Sequence, residues 1–209
     1  MGCIGYLRRD RMKKKSLMFP WINRTWNPVT GCRHNCSYCW ARKLAETKLK
    51  HLARYQAGFI PLFHPHELLK KFKAAQFVFV CDMGDLFGWW VPRKWIEAVL
   101  KVIAENPETK FLLLTKNPQR MLNFTIPSNC IVGATIETNR WIPPGISRAP
   151  APSERFRALA KIEHPNKILV VEPIMDFDLQ PFYSACFFIP KLKKIVIGYD
   201  NYWRQNRLP

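Results

Sequence analysis

Residues 77–115 read FVFVCDMGDLFGWWVPRKWIEAVLKVIAENPETKFLLLT, and the fold class turns on this stretch. It opens with the apolar run Phe77-Val78-Phe79-Val80-Cys81 and closes with a second, Phe111-Leu112-Leu113-Leu114-Thr115. Between them, after Pro92, residues Trp95, Ile96, Val99, Leu100, Val102 and Ile103 recur at helical spacing and trace a broad apolar stripe. Apolar runs without alternation suit strands buried on both faces, as in a parallel sheet covered by helices.

The same alternation extends in both directions. Upstream, a weak strand over residues 24–30 feeds a cysteine-bearing loop. A helix over 40–55 follows, with Leu44, Ala45, Leu49, Leu52 and Ala53 on one face and Gly58 and Pro61 ending it. Downstream come a short helix near 118–123, a fourth strand over Cys130–Ile136 and an irregular loop from Trp141 to Pro152 that holds four prolines. A helix from Ser153, with Phe156, Leu159, Ala160 and Ile162 inward, leads to a fifth strand, Ile168–Val171; the sixth is Ile195–Ile197. Six units are too few for an eight-unit barrel, so the expected fold is α/β, a partial (β/α)6 TIM-like barrel rather than an open doubly wound sheet. Only seven residues follow Tyr202, so the helix that should cover strand six is expected to be missing. An uncovered strand there predicts a partner protein or self-association.

A length of 209 residues with 48% hydrophobic content suits one globular domain, read as residues 23–209 behind a basic, flexible N-terminal arm over 1–22. The 33 Lys and Arg against 15 Asp and Glu give a net charge of +18, which favours nucleic acid or another polyanion as partner. Trp89, Trp90, Trp141 and Trp203 are candidates for stacking on bases. Seven cysteines, an odd number in a chain too long to need disulfide staples, indicate a reducing, cytoplasmic setting. No apolar stretch has the length of a membrane span, and the basic start lacks the apolar segment of a secretory signal.

Three of the cysteines crowd into one loop, Gly31-Cys32-Arg33-His34-Asn35-Cys36-Ser37-Tyr38-Cys39. Three thiolates on a four-iron cluster leave one iron open to a small molecule. A structural zinc site also takes closely spaced cysteines but closes with a fourth ligand, for which His34 is the candidate; Cys81 and Cys130 sit in strands as ordinary buried thiols. Spacing alone leaves both readings open, together with that of a cysteine cluster without metal. Polar residues gather after the strands: Asp82 and Asp85, Thr115 and Lys116, Glu137 and Asn139, Glu172, and Tyr199 and Asp200. The carboxyl ends of parallel strands form the active face of such folds, so these residues should ring one mouth.

The motif Cys32-x3-Cys36-x2-Cys39, with Tyr38 before the last cysteine, resembles the signature of the radical SAM superfamily, whose partial barrel also places it after strand one. More narrowly, Thr25–Cys32, Met83–Phe87, Leu114–Pro118, Ile136–Arg140 and Val171–Ile174 resemble a phage-linked, three-cysteine branch, distantly similar to DNA-repair lyases of the spore photoproduct type. The resemblance implies a 4Fe-4S cluster on the three cysteines and S-adenosylmethionine on the open iron. It further implies an external one-electron reductant and a 5'-deoxyadenosyl radical acting on a substrate, with nucleic acid favoured. By the same resemblance Asp82, Gly84 and Asp85 stand where the superfamily holds the SAM ammonium, although the segment departs from the usual Gly-Gly-Glu form. Tyr38 would lie near the adenine, Glu137 and Asn139 are candidates for the ribose, and Glu172 is a further candidate for ligand contact. The alternatives are a zinc-stabilised nucleic-acid-binding protein without catalysis and a degenerate, non-catalytic iron-sulfur protein.

Overall fold

A computed structural model describes residues 19–199. Six strands, β1 (Arg24–Trp26), β2 (Phe77–Val80), β3 (Lys110–Thr115), β4 (Cys130–Thr135), β5 (Lys167–Val171) and β6 (Leu192–Ile197), form one sheet in chain order. All neighbours are parallel, with Trp26 level with Val80, Val80 with Leu113, Thr115 with Ala134, Thr135 with Val170 and Val171 with Ile197. The helices are α1 (Trp40–Glu46), α2 (Arg93–Ala104), α3 (Pro152–Lys161) and α4 (Leu179–Phe187); a 3-10 turn, Pro118–Asn123, is the crossover from β3 to β4.

Alternate side chains of the strands serve two cores. Val78, Val80, Phe111, Leu113, Val132 and Leu169 face the helices, packed against Ile96, Val99 and Ile103 of α2 and Phe156 and Leu159 of α3. Phe79, Leu112, Ile168 and Val170 face the other way and enclose Phe19 and Ile22. Phe19 and Ile22 are buried, with the Phe19 ring 5.8 Å from that of Phe79. Burying such side chains stabilises by about 1.5–3 kcal/mol each, so residues 19–22 belong to the folded body and not to a basic arm ending at residue 22. The rest of that arm, residues 1–18, lies outside the described residues.

Local chemistry redraws three other elements. The strand expected over 24–30 is divided by Pro28, which offers no N–H to the ladder. Val29–Thr30 pair instead antiparallel with Leu62–Phe63, and the Pro28 carbonyl accepts the His64 N–H at 2.8 Å. The helix expected over 40–55 stops at Glu46, and a 3-10 turn at Ala53–Tyr55 brings Tyr55 and Phe59 back over Ala41 and Ala45. Helix α4 has no counterpart in the sequence reading: its segment LQPFYSACF lacks a clear polar face, and Pro181 falls in the first turn, where its missing donor is harmless. Ile195 and Ile197 of β6 are exposed; the segment after Tyr199, on which the expectation of a missing last helix rests, lies outside the described residues.

Candidate active site

The loops after the strands enclose a cavity of about 800 Å³ at the carboxyl end of the sheet. Its first wall is the cysteine loop. Gly31 opens that loop with φ +80, a conformation suited to glycine, and its N–H donates to the Met83 carbonyl at 2.9 Å. A β-carbon on Gly31 would fall on the carbonyl of Ile60, and one on Gly84 would crowd the carbonyls of Val29 and Gly31. The loops after β1 and β2 therefore dock backbone to backbone at two glycines, with no room for side chains between them.

Cys32, Cys36 and Cys39 all line the cavity. The Cys32 sulfur accepts the His34 N–H at 3.5 Å, the Cys39 sulfur caps α1 by accepting the Arg42 N–H at 3.4 Å, and Cys36 Sγ lies 3.2 Å from the Ser147 hydroxyl. Burial, reinforced by the Asp85 carboxylate and the two neighbouring thiols, pushes the Cys32 thiol well above its ordinary range; burial also pushes Cys39 up. Such thiols are protonated at neutral pH unless a metal ion deprotonates them. None of the six described cysteines is in a disulfide. Among the described residues no three His, Cys, Asp or Glu side chains converge closely enough to hold a single metal ion. A four-iron cluster takes each thiolate on a different iron. The donor set of three thiols facing one cavity fits the cluster.

His34, the candidate fourth zinc ligand, is fully buried and turned to another task. Its Nε2 lies 3.0 Å from Asp85 Oδ2, and its ring meets that of Trp90 edge-on at 4.8 Å. Asp85 also accepts the Thr115 hydroxyl at 2.6 Å and the N–H groups of Phe87 and Lys116, each at 3.0 Å. Burial would push its carboxyl up, but these donors hold it below its ordinary value. Both Asp85 oxygens are thus engaged in tying the cysteine loop to β3. Asp82 differs: one oxygen accepts the Asn27 amide at 2.6 Å, and burial raises its carboxyl.

The far wall carries Lys116, Glu172 and Tyr199. Burial pushes the Glu172 carboxyl up, with Lys116 opposing. Tyr38 reaches across from the cysteine loop and donates its hydroxyl to Glu137 Oε1 at 2.5 Å. Glu137 is fully buried, receives an ion pair from Lys116 on Oε1, and accepts Arg155 on Oε2 at 2.6 Å. Burial opposes its ionisation, but the two cations prevail and hold its carboxyl at about 2.

The structure thus brings together Cys32, Cys36, Cys39, Tyr38, Asp82, Gly84, Asp85 and Glu172 around one cavity. Glu137 stands behind that wall, touching it through Tyr38 and Lys116. Asn139 is directed elsewhere: its amide donates to the Asp178 carbonyl at 3.1 Å and accepts the Asp178 N–H at 3.0 Å. Asp200 and Trp203 lie outside the described residues. Two further participants, Arg155 and Ser147, are not among the residues expected from the sequence. Arg155 shares a helix face with Leu159, and a charged residue at a core position signals a buried partner. Ser147, in the proline-rich loop, gave no sequence signal.

Solved structures of spore photoproduct lyase share the fold of this chain. Spore photoproduct lyase complexed with dinucleoside spore photoproduct aligns with TM-score 0.59 and 11% identity, covering 83% of this chain and 54% of that one. A double mutant of the same lyase with bound AdoMet and dinucleoside spore photoproduct aligns with TM-score 0.55 and 12% identity, covering 81% of this chain and 53% of that one. The chain therefore spans about half the length of these structures, and the likeness is one of fold. The chain belongs to the family described as Protein of unknown function (DUF5131), whose profile matches residues 17–198. No curated protein matches the sequence.

Proposed function

We propose that this chain is a radical SAM protein, holding a 4Fe-4S cluster on Cys32, Cys36 and Cys39 with S-adenosylmethionine beside it. The carrying observation is that three thiols of a single loop face one strand-end cavity that also receives Asp82 and Glu172. When bound and reduced, such a cluster supplies one electron to the sulfonium, whose C–S bond breaks to give methionine and a 5'-deoxyadenosyl radical.

The chain's own residues have separable tasks in this reading. Asp85 holds the cysteine loop through His34, both of its oxygens being in use. Asp82 lines the cavity and is not tied to the cysteine loop as Asp85 is, which makes it the better acceptor for the ammonium of the methionine part. Tyr38 lines the cavity with its hydroxyl fixed on Glu137, which suits an aromatic contact for adenine. Glu172, with its carboxyl raised by burial, is positioned to accept hydrogen bonds from a polar ligand. The net charge of +18 supports a nucleic-acid substrate, and a reducing cytoplasmic setting and an external reductant belong to the same reading.

Anaerobic reconstitution with iron and sulfide tests it: about four irons per chain, and 5'-deoxyadenosine on addition of dithionite and S-adenosylmethionine, are expected. Cys36→Ala should lose both the iron and the nucleoside. Zinc alone in the protein as purified would overturn the reading in favour of a zinc-stabilised binding protein. Four irons without nucleoside would mean a non-catalytic iron-sulfur protein.

A further inference from the structure

A second depression, a groove of about 600 Å³, adjoins the cavity at the cysteine loop. Of the three loop cysteines only Cys32 lines it, and Cys32 lines the cavity as well. None of the strand-end residues Asp82, Asp85, Thr115, Lys116 or Glu172 reaches it. The groove carries three arginines, Arg33, Arg42 and Arg148, against one carboxylate, Glu46. Arg33 and Arg148 are exposed, and the Arg33 guanidinium stands 6.0 Å from the ring of Trp89, itself 66% exposed. Arg148 is set in place by its backbone, whose N–H donates to the His34 carbonyl at 2.6 Å and so pins the proline-rich loop to the cysteine loop.

We propose that this groove is the docking site of an acidic one-electron carrier protein, which passes its electron toward the cluster at Cys32. The inference rests on the cluster assigned above and adds to it the surface through which that cluster is charged. Electron transfer weakens steeply with distance, so a carrier must approach the cluster beside one of its ligands, and Cys32 is the loop cysteine that borders both depressions. Guanidinium groups around that point attract a carboxylate-rich partner and orient it. Trp89 supplies an exposed apolar contact of the kind found at interface centres. A polynucleotide substrate has a different requirement, since it must reach the strand-end cavity, and the groove touches none of that cavity's strand-end residues. The step is balanced without bond changes: the carrier's reduced flavin or iron-sulfur centre is oxidised by one electron and the cluster is reduced by one.

The test uses the full-length chain and a purified acidic flavodoxin. Oxidised flavodoxin is titrated onto the metal-free protein by calorimetry, and reduced flavodoxin is mixed with the reconstituted protein while flavin oxidation is followed by absorbance. Arg148→Glu and Arg33→Glu are each expected to weaken binding and slow flavin oxidation at least tenfold at low salt, with iron content and dithionite-driven 5'-deoxyadenosine formation unchanged. Added salt should slow the wild type and leave the variants little affected. If the variants bind and oxidise flavodoxin like the wild type, or if the wild type responds to dithionite but not to flavodoxin, the docking site is wrong and the cluster stands. Loss of single-stranded DNA binding in Arg148→Glu with flavodoxin unaffected would assign the groove to nucleic acid and overturn the proposal. A wild-type protein that takes up no iron removes the cluster and this inference together. Arg148→Glu, remote in sequence from the cysteines, keeps the test decisive if Arg33→Glu disturbs its neighbour Cys32.

Discussion

Glu137 shows how much of this site depends on a residue that does not line it. Its carboxylate is fully buried between Lys116 and Arg155 and accepts Tyr38, so the aromatic ring facing the cavity is held by charges behind it. Removing one member of a buried charge set leaves the others unpaired, which costs about 3–5 kcal/mol. Glu137→Gln is therefore expected to lower unfolding stability by roughly that amount and to free the Tyr38 ring. The pH dependence has a definite sign. Burial raises the Glu137 carboxyl, the two cations more than reverse this, and it sits at about 2, below its unfolded value. Its contribution is present at neutral pH and is lost as the pH falls from the ordinary carboxylate range toward 2. Denaturant titrations of the metal-free protein between neutral and acidic pH should show a slope in the wild type that is shallower in Glu137→Gln; equal slopes would place the acid sensitivity elsewhere.

Among the elements, the cysteine loop is held by backbone rather than by side chains. Gly31, at φ +80, lies so close to Ile60 that any β-carbon would displace it, and Gly84 closes the contact from the other loop. Gly31→Ala is expected to destabilise the protein by more than about 1 kcal/mol and to cut iron uptake on reconstitution by at least half, because the three thiols would no longer face one cavity. Iron uptake at the wild-type level would show that the loop tolerates a shifted Gly31. The loop's position was legible in the sequence because β2 and β3 are nearly continuous apolar runs, as parallel pairing requires, although β1, Arg24-Thr25-Trp26, is itself a weak signal. The same strand order sets the three cysteines and the carboxylates Asp82 and Glu172 around one cavity. What stayed hidden depends on contacts distant in sequence. The end of α1 is set by Tyr55 and Phe59 returning over Ala41 and Ala45, which a helical period running on past Glu46 conceals. Helix α4 carries apolar residues on several of its own sides and so lacks the one-sided stripe that marks a helix in sequence. His34 looked like a ligand in a motif, and only the loop after β2 reveals Asp85 as its partner.

At the scale of the whole molecule, a strong positive charge and the exposed apolar side chains of the described residues act against each other. Leu179, Tyr183, Phe187 and Phe188 in and just after α4, with Ile195 and Ile197 of β6, are exposed, and no described residue covers them. Apolar surface of this kind favours association. A net charge of +18 keeps the molecules apart by mutual repulsion, which dissolved salt screens over about 10 Å or less at 0.1 M and above. Association should therefore rise with ionic strength, the reverse of what contacts between opposite charges would do. Replacing Phe187 and Phe188 together by serine removes two of the most exposed rings, 79% and 74% accessible, and should change folding stability by no more than about 0.5 kcal/mol each. Sedimentation at low and high salt is expected to show the wild type gaining mass with salt and the double variant remaining at its low-salt mass. If both gain mass equally, the association runs through another surface, and the exposed rings in and just after α4 are ones that water tolerates.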